Sequence, residues 1–122
     1  MNGISSSSYG FILAQPYRSG STNFTSPQVG FSQTAVQTSQ FDPGGASQWA
    51  LLIVDIPQYK NTNIQKGLFF NFSNAVDSTN SNSAFGGGIF ASTNAISSLT
   101  VIGANYNLSS GSTLTLFGIT AA

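Results

Sequence analysis

The sequence predicts an all-β domain, an antiparallel β-sandwich or barrel of about seven to eight short strands. Three observations carry this. Short apolar runs alternate with clusters of Gly, Pro, Asn, Asp and Ser, which make turns. The residue stock is β-branched, aromatic or Ser/Thr/Asn, and Glu, a strong helix former, is absent from all 122 positions. Charged residues make up only 5% of the chain, where an ordinary domain carries about 25%.

Taken in order, the first candidate strand is 10–14, Gly-Phe-Ile-Leu-Ala. The second is 28–37, in which Val29 and Phe31 alternate with polar or small residues. The third, 47–56, contains Trp49-Ala-Leu-Leu-Ile-Val54. Being almost continuously apolar, it is expected in the middle of a sheet with both faces buried. In the fourth, 65–72, Leu68, Phe70 and Phe72 share one face. The fifth, 84–91, is glycine-rich. The sixth, 96–104, places Leu99 and Val101 on one face. The seventh, 112–119, alternates Leu114 and Leu116 with threonines. Spans 17–28, 40–46 and 73–83 read as loops, the second built on Asp42-Pro43-Gly44-Gly45.

The length suits a single domain over 1–122. Residues 1–28 are poorer in dense apolar runs. They read either as an arm that contacts a partner or as edge strands and loops. The opening residues lack a basic stretch followed by a long apolar one, and the longest apolar run, 50–54, is far short of the ~20 residues of a membrane helix. The expectation is a protein made in a cytoplasm that does not enter a membrane.

Composition excludes several chemistries. Three cations, Arg18, Lys60 and Lys66, balance three carboxylates, Asp42, Asp55 and Asp77. So few cations cannot build a nucleic-acid-binding face. With no His and no Cys, a Ser-His-Asp or Cys-His site has no base, and zinc sites and disulfides cannot form. By contrast, 50 residues are Ser, Thr, Asn or Gln, and fifteen are aromatic.

The remaining candidates weaken on inspection. A glycosidase needs two carboxylates flanking one bond, and nothing in the spacing of the three aspartates brings two together. A lysine nucleophile needs a desolvated pocket, whereas Lys60 and Lys66 flank a polar connection. Gly86-Gly87-Gly88 is followed by neither Gly-Lys-Ser/Thr nor a helix start. It reads as a bulge, a bend or a close backbone approach, which in an oligomer could be to a neighbouring subunit. The sequons at Asn23, Asn71 and Asn107 are expected by chance in so Asn/Ser/Thr-rich a chain, and are read as unmodified. Tyr9, Tyr17, Tyr59, Tyr106 and Trp49 could form a sugar platform, although Trp49 reads more readily as core. No catalytic residue, metal or cofactor is expected.

Residues 49–119 carry a resemblance. Ile53-Val-Asp-Ile-Pro-Gln-Tyr-Lys60, then Asn94-Ala-Ile-Ser-Ser-Leu-Thr100, then Gly111-Ser-Thr-Leu-Thr-Leu-Phe-Gly-Ile119 resemble a pattern of tailed-bacteriophage structural proteins. In these a strand ends in an Ile-Pro-x-Tyr turn, and the chain closes on Leu-Tyr-Gly-Ile. Phe117 stands here for the tyrosine, and the region ahead of the pattern is shorter than in the family. The resemblance implies a jelly-roll-like sandwich on a virion and brings no catalytic residues.

The resulting expectation is a capsid decoration or cement protein, a homotrimer by virion symmetry, that contacts the major capsid protein or other virion proteins. The alternative is a tail-fibre or baseplate module that binds host glycan. Neither involves nucleic acid. A near-zero net charge suits a protein destined for assembly better than one that stays alone. Expected contact residues are Ile4, Tyr9, Phe11, Leu13, Tyr17, Phe24, Tyr59 and Tyr106, and the expected contact segments are 4–13, 17–28 and 73–83. Deleting residues 1–8 is expected to weaken attachment without unfolding the domain.

Overall fold

A computed structural model describes residues 1–4, 6–38, 49–75, 80–102, 108 and 110–118. The fold is all-β. Five strands, β1 (Tyr9–Ser19), β2 (Thr22–Gln33), β3 (Trp49–Asp55), β4 (Lys66–Ala75) and β5 (Ser81–Phe90), form one open antiparallel sheet in the order β2-β1-β5-β4-β3. Among the described residues there is no helix.

Period-two alternation sets the two faces of the sheet. One face gathers Tyr9, Phe11 and Leu13 of β1, Leu68 and Phe70 of β4, and Phe90 of β5, all buried. Loops cover this face. Met1, Val36, Leu52 and Ile56 pack against Phe11, Leu13, Leu68 and Phe70. Ile4 and Tyr59 close over Tyr9, Phe90 and Ile96. The Tyr9 and Phe90 rings stack at 5.1 Å. Burying each such side chain contributes about 1.5–3 kcal/mol.

The middle strand owes its place to its glycines. Gly86 pairs with Leu13 and Phe70, and Gly88 with Phe11 and Leu68. Without side chains there, the large residues of β1 and β4 lie over β5, and Val36 fits against Gly88. The close approach expected at 86–88 is therefore made within the chain.

The expected strand 10–14 falls within β1, and 66–72 and 84–90 of those expected at 65–72 and 84–91 lie in β4 and β5. Of the loop expected at 73–83, 73–75 belong to β4 and 81–83 to β5. Four further expectations change. The span 17–28 is not a loop but a hairpin, with Ser19 paired to Thr22 across Gly20-Ser21. Gly20 supplies φ +61° at the first turn position, which a two-residue hairpin of the II′ kind requires. The strand expected at 28–37 begins at Thr22 and ends at Gln33. The third strand is an edge, not the centre. Leu52 turns toward the core, but Trp49, Leu51 and Ile53 face solvent, because no second layer among the described residues lies above them.

The fourth change is at the C-terminal end. Residues 96–102 and 112–118 lie outside the strands, and Leu114, Leu116 and Phe117 are exposed. The alternation of Leu and Thr is present there, but no strand among the described residues pairs with it. The described residues therefore form five strands where seven or eight were expected, and residues 40–46, 103–104 and 119 lie outside them.

The N-terminal residues are tied down. Asn2 Oδ1 accepts from Ser97 N (2.7 Å), Ser98 N (3.2 Å) and Ser97 Oγ (3.2 Å), and Asn2 Nδ2 donates to Ala95 O (2.8 Å). Asn2 N also donates to Ser98 O at 2.9 Å. The Met1 ammonium donates to Tyr9 Oη at 2.8 Å. Met1, Asn2 and Ile4 are thus joined to the core and to residues 95–98.

Candidate interaction surface

The second face of the sheet is built from the alternate residues of the same strands. Ile12 of β1, Val29 and Phe31 of β2, Trp49, Leu51 and Ile53 of β3, Phe69 of β4, and Phe85 and Ile89 of β5 all stand exposed. Trp49 is 87% accessible, Phe69 65% and Phe85 56%. With aromatic side chains carrying 150–250 Å² each, the apolar area is on the order of 1,000 Å². The largest apolar patch on an ordinary monomer is about 300–600 Å².

The middle of this face carries no charge. Its two charged residues are Arg18, at the end of β1, and Asp55, at the end of β3. The antiparallel register places them at opposite ends of the sheet. A groove of about 210 Å³ runs over the small residues Asn71, Ser73 and Ser83, between Leu51 and Ile53 on one side and Phe85 on the other.

A second feature lies at the hairpin end. The Tyr17 and Phe24 rings stack at 4.8 Å and 14°. With Arg18, Asn23, Thr25 and Asn82 they line an open hollow of about 440 Å³. Arg18 Nε donates to Gly20 O at 2.8 Å, which holds the turn. Nearby, Asn74 and Asn82 pair across β4 and β5. Both are buried, and Asn74 Nδ2, Asn74 Oδ1 and Asn82 Oδ1 find no hydrogen-bond partner among the described residues.

The expected contact residues divide between core and surface. Tyr9, Phe11 and Leu13 are core, because their register points them under the loop cover. Ile4 and Tyr59 are half-buried lids over that core, and Ile4 O accepts from Tyr9 Oη at 2.9 Å. Burial raises the Tyr9 phenol above its ordinary 10.0. Tyr17 and Phe24 are the two that the fold brings together. Tyr106 lies outside the described residues.

Trp49, whose place in an apolar run suggests core, is instead the most exposed large side chain of the sheet. Ile12, Phe69, Phe85 and Ile89 are surface residues that the reading of the sequence misses. The signal that could have found them is the apolar character of both alternating sets in β1, β4 and β5, which signifies two faces to cover.

The charged candidates are dispersed. Asp55 ends the edge strand, while Asp42 and Asp77 lie outside the described residues. Lys60 is exposed, with its Nζ 5.7 Å from the Tyr59 ring centre. Lys66 is buried among the loops, and its Nζ donates to Ile64 O (2.7 Å) and Thr93 O (3.0 Å). This main-chain pairing fastens the β3–β4 connection to the segment after β5. Comparison of the chain with family models, with curated proteins and with solved structures finds no match.

Proposed function

We propose that this is a structural protein of a phage virion, of the capsid decoration or cement kind, that works by being covered rather than by chemistry. The observation that carries the reading is the uncovered sheet face, about 1,000 Å² of apolar surface on a chain with six charged residues. Such a face is costly for a protein that stays alone, and burying it stabilises an assembly over its parts. The resemblance of residues 49–119 to tailed-phage structural proteins supplies the virion context. In the assembled state the sheet becomes one layer of a jelly-roll-like sandwich.

The test is to assemble particles without this protein and return it in purified form. Uptake in fixed stoichiometry, with a higher melting temperature of the shell, is the expected result. Particles that neither contain nor bind the protein would sink the reading.

A second reading, a tail-fibre module for host glycan, draws on the stacked Tyr17–Phe24 pair and the amides beside it, since sugars lie on aromatic faces and hydrogen-bond to amides. Saccharide binding by the isolated protein that Tyr17→Ala abolishes would favour it over the first.

A further inference from the structure

We propose that the uncovered face is closed by a second copy of this chain, the two sheets packing face to face. The sandwich that one chain lacks is then completed between two. The proposal deepens the assembly reading on which it rests, by naming the partner.

The area is sufficient. A stable protein–protein interface buries about 800 Å² per partner. The apolar face of this sheet offers on the order of 1,000 Å². Two sheets pack face to face at about 10 Å, with their strands roughly aligned.

The charges are compatible. The middle of the face is neutral, so a copy meets no like charge when it docks. Arg18 and Asp55 lie at opposite ends. A twofold axis across the strands keeps β1 over β1 and β3 over β3, so these two rim charges stay about 14 Å apart sideways and neither oppose nor drive the contact.

The shape is also suited to self-association. A self-complementary contact needs projections and a recess on one surface. This face has both: Ile12, Phe69 and Ile89 stand out, and the groove beside Phe85 is floored by Asn71, Ser73 and Ser83. A twofold contact of this kind closes on itself. A trimer through the same face would require a heterologous contact, in which the face meets a different surface of its neighbour.

The experiment is sedimentation equilibrium of the full chain between about 1 and 100 μM, the range that resolves micromolar pairs. The expected mass is twice the 12.7 kDa of one chain. Phe85→Asp and Phe69→Asp, both at exposed positions, should weaken the pair at least about a hundredfold, through a desolvated charge, while the cooperative β-type melt is kept. Leu116→Asp, in the exposed C-terminal segment, should leave the pair intact.

A monomer throughout the range would overturn the proposal. So would a trimer or larger oligomer, or a pair that Leu116→Asp breaks and Phe85→Asp does not. A pair that particles fail to take up leaves this inference standing and removes the virion reading. Uptake by particles of a protein that is monomeric in solution does the reverse.

Discussion

Gly86 is the position where one methyl group should do most damage. It lies on the middle strand between Leu13 of β1 and Phe70 of β4. A Cβ there would collide with the Ile12 carbonyl oxygen and come within 2.8 Å of Leu13 Cα and 3.0 Å of Phe70 Cζ. The first two are main-chain atoms of β1, so no rotamer change relieves them and β1 must move off β5. Overpacking of a core costs about 1–3 kcal/mol, and a backbone collision belongs at the upper end. Replacing Gly by Ala also returns about 0.4–1 kcal/mol through the unfolded chain. The net expectation for Gly86→Ala is a loss of roughly 2 kcal/mol, or about 5–10 °C in melting temperature for a chain this size.

The neighbouring glycine is the control. At Gly87 the nearest atoms to a Cβ are Leu68 O at 3.3 Å and Phe69 Cδ1 at 3.9 Å, so Gly87→Ala should be near neutral. Both variants are compared with the parent by urea unfolding followed by far-ultraviolet circular dichroism. Protein concentration is held fixed, because association raises apparent stability. If the two variants unfold within about 0.5 kcal/mol of each other, a difference ordinary for neutral surface changes, the role assigned to the β5 glycines is refuted.

Other expectations test the loops and the polar end of the core. Asn2→Ala removes four side-chain hydrogen bonds to 95–98 and should cost about 2 kcal/mol. Amide exchange at Ser97 and Ser98 should accelerate, and unchanged exchange would show that Asn2 is not the clamp. Asn74→Leu with Asn82→Leu replaces buried amides, three of whose polar atoms have no partner among the described residues, by apolar groups of similar size and should raise stability by about 1 kcal/mol or more. A destabilised double variant would show that these amides are satisfied in solution. Tyr9 titrates above 10.0 when folded because burial disfavours its anion. Above pH 10 the unfolded state loses that proton first, so stability should fall as pH rises from there. Tyr9→Phe should flatten that decline, and an equal decline would place its cause elsewhere.

Strands β1 and β4 are legible in the sequence because each concentrates large apolar residues at every second position, and β5 because its short glycine-rich apolar run stands between polar spans. The spacing of Leu68, Phe70 and Phe72 alone puts them on one face. The hairpin at 17–28 is hidden by its composition, since Ser, Thr, Asn and Pro read as loop until Ser19 is seen paired to Thr22 across Gly20. The 49–55 run misleads for the opposite reason. A strand apolar on both sides reads as central, and this strand is an edge whose second side is covered by no layer among the described residues. Segment 112–118 shows the same limit. Its alternation states that it can be a strand and cannot state which strand it pairs with. Periodicity records which residues are to be buried, and the partner that buries them need not belong to the same chain.

The uncovered face carries a probe of its own. Trp49 is the only tryptophan, and it stands 87% exposed on that face, so its emission reports the environment of the face without interference. If a second copy covers the face, emission is that of solvated indole at low concentration and shifts to shorter wavelength as concentration rises. The shift should follow the gain in mass and be abolished by Phe85→Asp. Emission that stays the same while the protein associates, or that keeps its shift in the Phe85→Asp variant, would contradict closure of this face by a second copy.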